Sequence, residues 1–421
     1  MYLSLRTRPV IPDAPVRPAR GRVPRTVWLL GLTSMLTDIS SEMVTAILPI
    51  FLTLQLGLSP AQFGLIDGLH QGVSALSRLG AGLVSDRLGN PKLVASFGYG
   101  LSALTRPLLL LAGSVMSVAA LVSVDRIGKG VRTAPRDAMI AQSSTRSDLG
   151  ANFGVHRALD NLGAMLGPLL AFGVLFLAPL RFDTVFVFSA AFAVIGLAVI
   201  VFLVPGPERG KHSPRSSRVR LTRADVAALA VLAPFRRLVV VGGLLTLFTV
   251  SDAFLFLTLL EGDAALTRYF PLLAVGLALS YAALAIPVGR LADRWGRSKV
   301  YLWGHLLLLA IYAVVAGQLG AIPAALVTLG LMGLFYASTD GVLTASISAE
   351  LPEVSRASGL ALAQTVIALA ALTSSVGFGL LLTFLEPTEA FLVMATGEAL
   401  ALVAAYVLLR PALVRPTQER L

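Results

Sequence analysis

Apolar stretches about as long as a bilayer core is thick recur along the whole chain, broken by short polar segments. They run approximately over 27–55, 60–84, 93–113, 115–142, 150–179, 182–204, 238–260, 269–290, 299–317, 322–348, 356–384 and 388–409. A helix needs about 20 apolar residues to cross the hydrocarbon core of a membrane. Within lipid every backbone polar group must find its partner inside the protein, which a helix achieves alone. The pattern therefore predicts twelve crossing helices and an all-α membrane protein. The longest break, Pro205 to Arg237, begins Pro-Gly-Pro and is rich in basic residues, as a flexible linker is. Within it, Leu221 to Phe235 reads as a short amphipathic helix lying on the membrane surface. The organisation expected is a basic tail (1–26), a six-helix half (27–204), the linker (205–237), a second six-helix half (238–410) and a short tail (411–421).

Composition agrees. Of the 421 residues 56% are hydrophobic and only 14% charged, against about 25% charged in soluble domains. Mean hydropathy is +0.81. With no cysteine there are no disulfides. Met1 to Thr26 holds several Arg and Pro but no apolar core before a cleavage site, so it reads as a basic tail and not as a signal peptide. The net charge of +11 is a topology signal and not a nucleic-acid footprint. Outside the spans, only Arg181 and Arg268 fall on one side, and all other Lys and Arg fall on the side of the termini. By the positive-inside rule both termini are expected in the cytoplasm of a cell whose inner membrane holds the protein.

Two phrases half a chain apart nearly match: Gly82-Leu-Val-Ser-Asp86-Arg87-Leu-Gly89-Asn-Pro-Lys92 and Gly289-Arg-Leu-Ala-Asp293-Arg294-Trp-Gly296-Arg-Ser-Lys299. Asp38 and Asp252 occupy corresponding places in the first and seventh spans, and Gly154 and Gly359 in the fifth and eleventh. A duplicated membrane unit is what a carrier needs if one half is to rock against the other. The charges do not repeat: most within the spans belong to the first half, whereas the second has Asp252, Asp340 and Glu398 at comparable depth.

A charge in mid-bilayer costs about 2.5–3.5 kcal/mol on insertion scales, so it normally faces protein or a watery cavity. Ser34, Asp38, Glu42, Thr45 and Pro49 form one stripe at helical spacing; Asp67, Gln71, Ser74 and Arg78 form another. Asp125, Lys129, Arg132 and Arg136, with Arg126 and Asp137 beside them, form a third, and Asn152, His156, Asp160, Gly163 and Gly167 a fourth. Four helices each with one polar face most simply surround a common cavity. The cations and carboxylates nearly balance, so a buried structural network is one reading. The other is that Asp38, Glu42 and Asp252 exchange protons while Asp67, Gln71, Arg126, Lys129, Arg132, Arg136, His156, Asp160 and Asp340 line a substrate cavity. Two acids four residues apart on one face, Asp38 and Glu42, suit proton exchange. The cations suit a carboxylate or phosphate. The histidines are dispersed, and no metal, cofactor or catalytic motif is present. An enzyme is not expected.

At these residues the chain resembles the major facilitator superfamily. The two Asp-Arg-x-Gly phrases are similar to the inter-helix signature of that family. The resemblance implies a twelve-helix fold in two pseudo-symmetric bundles, and a cytoplasmic latch at Gly82, Asp86, Arg87, Gly89 and Gly289, Asp293, Arg294, Gly296. Arg126-Ile-Gly-Lys129-Gly130 is similar to a fourth-helix pattern whose Arg is implicated in proton transfer, although Lys129 and Arg132 depart from it. Gly154, Gly163 and Gly167-Pro168 match a fifth-helix pattern of drug:proton antiporters up to its last two glycines, where Ala171 and Phe172 stand, and imply a gate there. The first helix departs from the exporter pattern after Asp38. The function expected is proton-coupled export (antiport) of a drug or metabolite by alternating access, by a monomer whose partners are the small molecule, H⁺ and the lipid bilayer. The alternatives are an organic-anion carrier using the fourth-helix cations and, from another class, a non-transporting receptor or scaffold.

Overall fold

The computed structural model describes residues 23–88, 90–145, 148–206, 232–260, 264–317, 319–352 and 356–413. They form helices, with no strand among the described residues. The first half contains α1 (Arg25–Ile50, prolonged by a π turn at Phe51–Gln55), α2 (Pro60–Leu88), α3 (Pro91–Leu109), α4 (Val115–Gln142), α5 (Leu149–Leu177) and α6 (Phe182–Ala198, prolonged by a π turn at Val199–Leu203). In the second half α7 is broken into Ala233–Leu247 and Asp252–Leu259. It is followed by α8 (Phe270–Trp295), α9 (Arg297–Val315), α10 (Ala321–Ala349), α11 (Arg356–Phe384) and α12 (Pro387–Leu413). Among the described residues nine of these helices are by themselves long and apolar enough to cross a membrane. The three that fall short are α2, α3 and α4, and α2 and α4 hold two of the polar stripes. Their described polar positions, among them Asp67 and Gln71 of α2 and Asp125, Arg126 and Arg132 of α4, are met by protein and not by lipid. The amphipathic helix expected from Leu221 to Phe235 lies, up to residue 231, outside the described residues, as does the tail before residue 23.

The halves repeat one packing scheme. In the first, α1 lies against α5 and α6, and α4 against α2 and α3; in the second, α7 lies against α11 and α12, and α10 against α8 and α9. The most extensive contacts between the halves are α2 along α11 and α5 against α8, which the repeat exchanges. The α2–α11 seam depends on small residues: a Cβ on Gly64 would stand 2.5 Å from the Ser375 carbonyl oxygen, and one on Gly379 would collide with that of Pro60. Helix backbones this close pack by dispersion where lipid supplies no hydrophobic drive.

The apolar cores locate the space between the halves. One core fills the face opposite the chain termini and draws on both halves. On the terminal face the halves have separate cores, one around Phe235, Tyr301 and Leu409 and the other around Leu30, Tyr99 and Ile140. A chain of rings closes the far face. Phe63 of α2 meets Phe254 of α7 edge-on at 4.7 Å, Phe254 meets Phe378 of α11 at 5.0 Å, and Phe378 meets Phe391 of α12 at 5.0 Å. Outside this seal lies a mostly apolar vestibule of about 1240 Å³, with Arg268, Glu386 and Glu389 at its rim. The halves are thus joined at the far face and separate toward the terminal face.

Candidate functional site

Three of the four predicted stripes converge inside the first half. α1 and α4 run antiparallel, so residues one turn apart on each meet as rungs. Ser34 accepts a hydrogen bond from Arg136 Nη1 at 3.0 Å, Asp38 Oδ1 lies 3.6 Å from Arg132 Nη2, and Glu42 Oε1 lies 3.7 Å from Lys129 Nζ. α5 adds Asp160, whose Oδ1 is 3.7 Å from Arg136 Nη1. The rungs at 3.6 and 3.7 Å are ion pairs but too long for hydrogen bonds. Arg132 is further held by Ser102 Oγ at 3.0 Å and by the Tyr99 ring, 4.7 Å below its guanidinium. His156 is buried near the α5 end of this group, and neither ring nitrogen has a hydrogen-bond partner among the described residues.

One end of the ladder is built differently. Asp125 is buried between two guanidiniums: Oδ1 accepts from Arg106 Nη2 at 2.7 Å, and Oδ2 from Arg126 Nη2 at 2.6 Å and Nε at 3.1 Å. Arg106 also donates to Ser41 Oγ at 3.0 Å. These short, dry contacts tie α1, α3 and α4 together. The predicted cations thus divide in two. Arg126 is fully engaged by Asp125, while Lys129 has a long contact and a side chain 31% exposed, its partner Glu42 being 26% exposed. Arg106 stands in the third apolar span of the sequence, and the contact of α3 with α4 makes it structural.

The second stripe points elsewhere. Asp67 accepts hydrogen bonds from Gln71 Nε2 at 3.0 Å and from Ser375 Oγ of α11 at 2.7 Å. Asp67 and Gln71 belong to the seam between the halves, not to the space bounded by α1, α4 and α5. The side chains of Ser74 and Arg78 lie outside the described residues.

Asp252 is not in the middle of a continuous helix; it is the first residue of the second segment of α7. Its carboxylate accepts from Tyr336 Oη of α10 at 2.6 Å. Tyr312 of α9 spans the break, its hydroxyl donating to the Phe248 carbonyl at 2.6 Å and accepting from the Val250 amide at 2.8 Å. Ser374 of α11 donates to the Thr249 carbonyl at 2.7 Å. Irregular backbone at membrane depth is tolerated where protein satisfies it. The run Thr249-Val250-Ser251 has neither Gly nor Pro, so the only available signal was Ser251-Asp252, a helix-start pair. Asp340, on α10, is exposed. Glu398, in contrast, is wholly buried and pairs with His305 Nδ1 at 2.8 Å, joining α9 to α12.

The predicted latch is described in its second copy. Gly296 ends α8 with φ of +99°, a conformation that only glycine adopts without strain. Asp293 accepts from Arg297 Nη2 at 3.0 Å, a contact within the turn, and Gly289 and Arg294 flank it. The surroundings of Gly82, the side chains of Asp86 and Arg87, and all of Gly89 lie outside what is described. In the first copy Asn90 caps α3 by accepting from the Leu93 amide at 3.1 Å. Lys92 donates to the carbonyls of Val201 and Val204 at 2.9 and 2.7 Å, closing the open end of α6. In α5, Gly163 and Gly167 face α1, where a Cβ would meet Met35 and Glu42 respectively; a Cβ on Gly154 would meet nothing within 4 Å. Pro168 is buried within the same helix.

A family model, Major Facilitator Superfamily, matches residues 30–276 and 264–420. An uncharacterized MFS-type transporter of Methanocaldococcus jannaschii is 30% identical over 393 residues, covering 91% of this chain and 94% of that one. The fold superposes on the nucleoside transporter NupG with a TM-score of 0.75, at 12% identity, over 92% of this chain and 100% of that chain. It also superposes on a bacterial homologue of the human lysosomal transporter Spinster, in an inward-facing and unoccupied conformation, with a TM-score of 0.66 at 15% identity over 93% and 96% of the two chains. Twelve helices in two pseudo-symmetric bundles and matches along nearly the whole length agree: the chain belongs to the Major Facilitator Superfamily and is a multi-pass membrane transporter, not an enzyme.

Proposed function

We propose that this transporter is a proton-coupled secondary carrier that exports a small molecule across the cytoplasmic membrane, working as a monomer with both termini inside the cell. The observation that carries this reading is the Glu42–Lys129 rung, long at 3.7 Å and partly exposed at both ends. Its neighbour Asp38–Arg132 sits one turn nearer the terminal face and is less exposed. Protonating Glu42 leaves Lys129 without its counter-charge, and protonating Asp38 does the same to Arg132. Either event changes which arrangement of the halves is favoured, by the difference in interaction energy between the two states. Asp252, at the broken seventh helix and hydrogen-bonded to Tyr336, is the third exchange site. The cation distribution supports cytoplasmic termini, and the fifth-helix glycine pattern supports export. On this orientation the space between the halves opens to the cytoplasm, while the Phe63–Phe254 contact seals the outside. Asp86 and Asp293 are the latches that close the cytoplasmic side in the opposite state.

Lys129 also favours a second reading, a carrier of organic anions. With Glu42 protonated, a substrate carboxylate takes the vacated place beside Lys129. The experiment that separates the two is the internal pH of proteoliposomes, followed while cationic drugs and organic anions are added with and without a pH gradient. Proton movement with cationic or neutral compounds supports the exporter. Movement with anions alone transfers the assignment to the anion carrier, and no movement with either removes proton coupling.

A further inference from the structure

Beside the Arg106–Asp125–Arg126 triad lies a small, partly enclosed cavity of about 10 Å³ between α1, α2, α3 and α4, room for roughly one water-sized sphere. Its polar lining includes His70, Arg106, Asp125 and Arg126, and most of the remainder is leucine and valine. Arg106 is 2% exposed, Asp125 4% and Arg126 5%. Among the described residues, Arg106 Nε and His70 Nε2 have no hydrogen-bond partner. A guanidinium N–H can only donate, so what it meets there must accept.

The charges in this corner do not cancel. One carboxylate, Asp125, serves two guanidiniums. The next cations along α4 are taken: Lys129 by Glu42, and Arg132 by Asp38. Among the other acids of the first half, Asp67 is held by Gln71 and Ser375 in the seam, and Asp137 and Asp160 share Arg136 at the other end of α4. Asp137 lies twelve residues along from Asp125, about 18 Å at helical rise, and its side chain is 41% exposed to solvent. It does not neutralise the triad. A buried, uncompensated charge is strongly unfavourable. A water molecule would satisfy the Arg106 N–H but leave the charge, and a phosphate or carboxylate is too large for the space.

We propose that this cavity binds a single halide-sized anion, held by Arg106 Nε and His70 Nε2 against the surplus positive charge of the triad. The anion completes the joint between α1, α3 and α4. The site is separate from the exchange carboxylates and stands whatever the carrier moves. It makes the folded state of the first half depend on chloride.

The test is thermal unfolding of the purified full-length protein in chloride, bromide or gluconate at fixed pH and ionic strength. Chloride and bromide should raise the unfolding midpoint saturably and gluconate should not; at ten times the dissociation constant the folding equilibrium shifts about elevenfold. Arg106→Gln removes both the donor and the surplus charge and should abolish the halide response. His70→Leu keeps every arginine and aspartate, fills the cavity and removes the second donor. It should weaken the response even where Arg106→Gln fails to fold. Equal midpoints in the three salts would mean that a bridging water alone occupies the cavity, and the proposal falls. A halide shift unchanged in His70→Leu would place the effect elsewhere and overturn it equally.

Discussion

Lys129 Nζ stands 3.7 Å from Glu42 Oε1, with both side chains partly exposed, whereas one turn deeper Arg106 and Arg126 clamp Asp125 at 2.7 and 2.6 Å in a dry interior. The two arrangements, an open Glu–Lys rung between α1 and α4 and a closed Arg–Asp–Arg clamp between α3 and α4, should answer mutation in opposite ways.

Asp125→Asn leaves two buried guanidiniums without a counter-charge. Removing one partner of a buried pair costs about 3–5 kcal/mol. The variant should unfold well below the parent in a thermal scan, or fail to accumulate in the membrane. Lys129→Met breaks a partly exposed pair worth about 0–1 kcal/mol. It should keep the parent's unfolding midpoint and lose transport.

The glycines of α5 should separate by what they face. Gly163→Val drives a side chain into the Met35 backbone and should destabilise the α1–α5 contact. Gly154→Ala places a methyl in open space. It should be neutral or stabilise by about 0.5–1 kcal/mol through helix propensity. Unfolding midpoints of the two variants in the same detergent check this, and a Gly154→Ala protein less stable than Gly163→Val would refute it.

Tyr312→Phe removes the hydroxyl that satisfies both the Phe248 carbonyl and the Val250 amide at the break in α7. Leaving buried backbone groups unpaired costs about 1–3 kcal/mol. Hydrogen exchange of the Val250 amide should accelerate selectively, with amides in α3 and α4 unchanged.

With no native cysteine in the chain, the far-face seal can be tested cleanly. Phe63→Cys combined with Phe254→Cys, joined through disulfides by a short bis-methanethiosulfonate reagent, should stop transport, and reduction of those disulfides should restore it. The rings they replace are 4.7 Å apart, and alternating access requires them to part. Full transport in the cross-linked protein would mean that the halves do not separate there.

How far the sequence alone reaches follows from what periodicity encodes. Apolar run lengths report crossing helices, because lipid imposes them directly. Spacing at 3.6 residues reports that Asp38 and Glu42 share a face, and that Lys129, Arg132 and Arg136 do. It does not report what that face meets. Asp67 has the same kind of stripe but meets Ser375 on α11, because the seam between the halves is as protected from lipid as the cavity is. Gly163 and Gly167 read as a gate and sit against α1, since close packing and bending require the same small residues. The break in α7 was hidden because its irregular backbone is satisfied by Tyr312 and Ser374, residues 60 or more positions away. Lys92 belongs to the repeated phrase, yet its role at the end of α6 depends on a contact 109 residues distant.

The central claim, that carboxylates at the ladder and at the α7 break exchange the protons that drive transport, has one direct measurement. Protein with Asp38→Asn, Glu42→Gln and Asp252→Asn combined is reconstituted in liposomes, and substrate-triggered change of internal pH is compared with the parent. The account predicts that the proton flux disappears while substrate exchange without a gradient persists. Undiminished proton flux in the triple variant would contradict it.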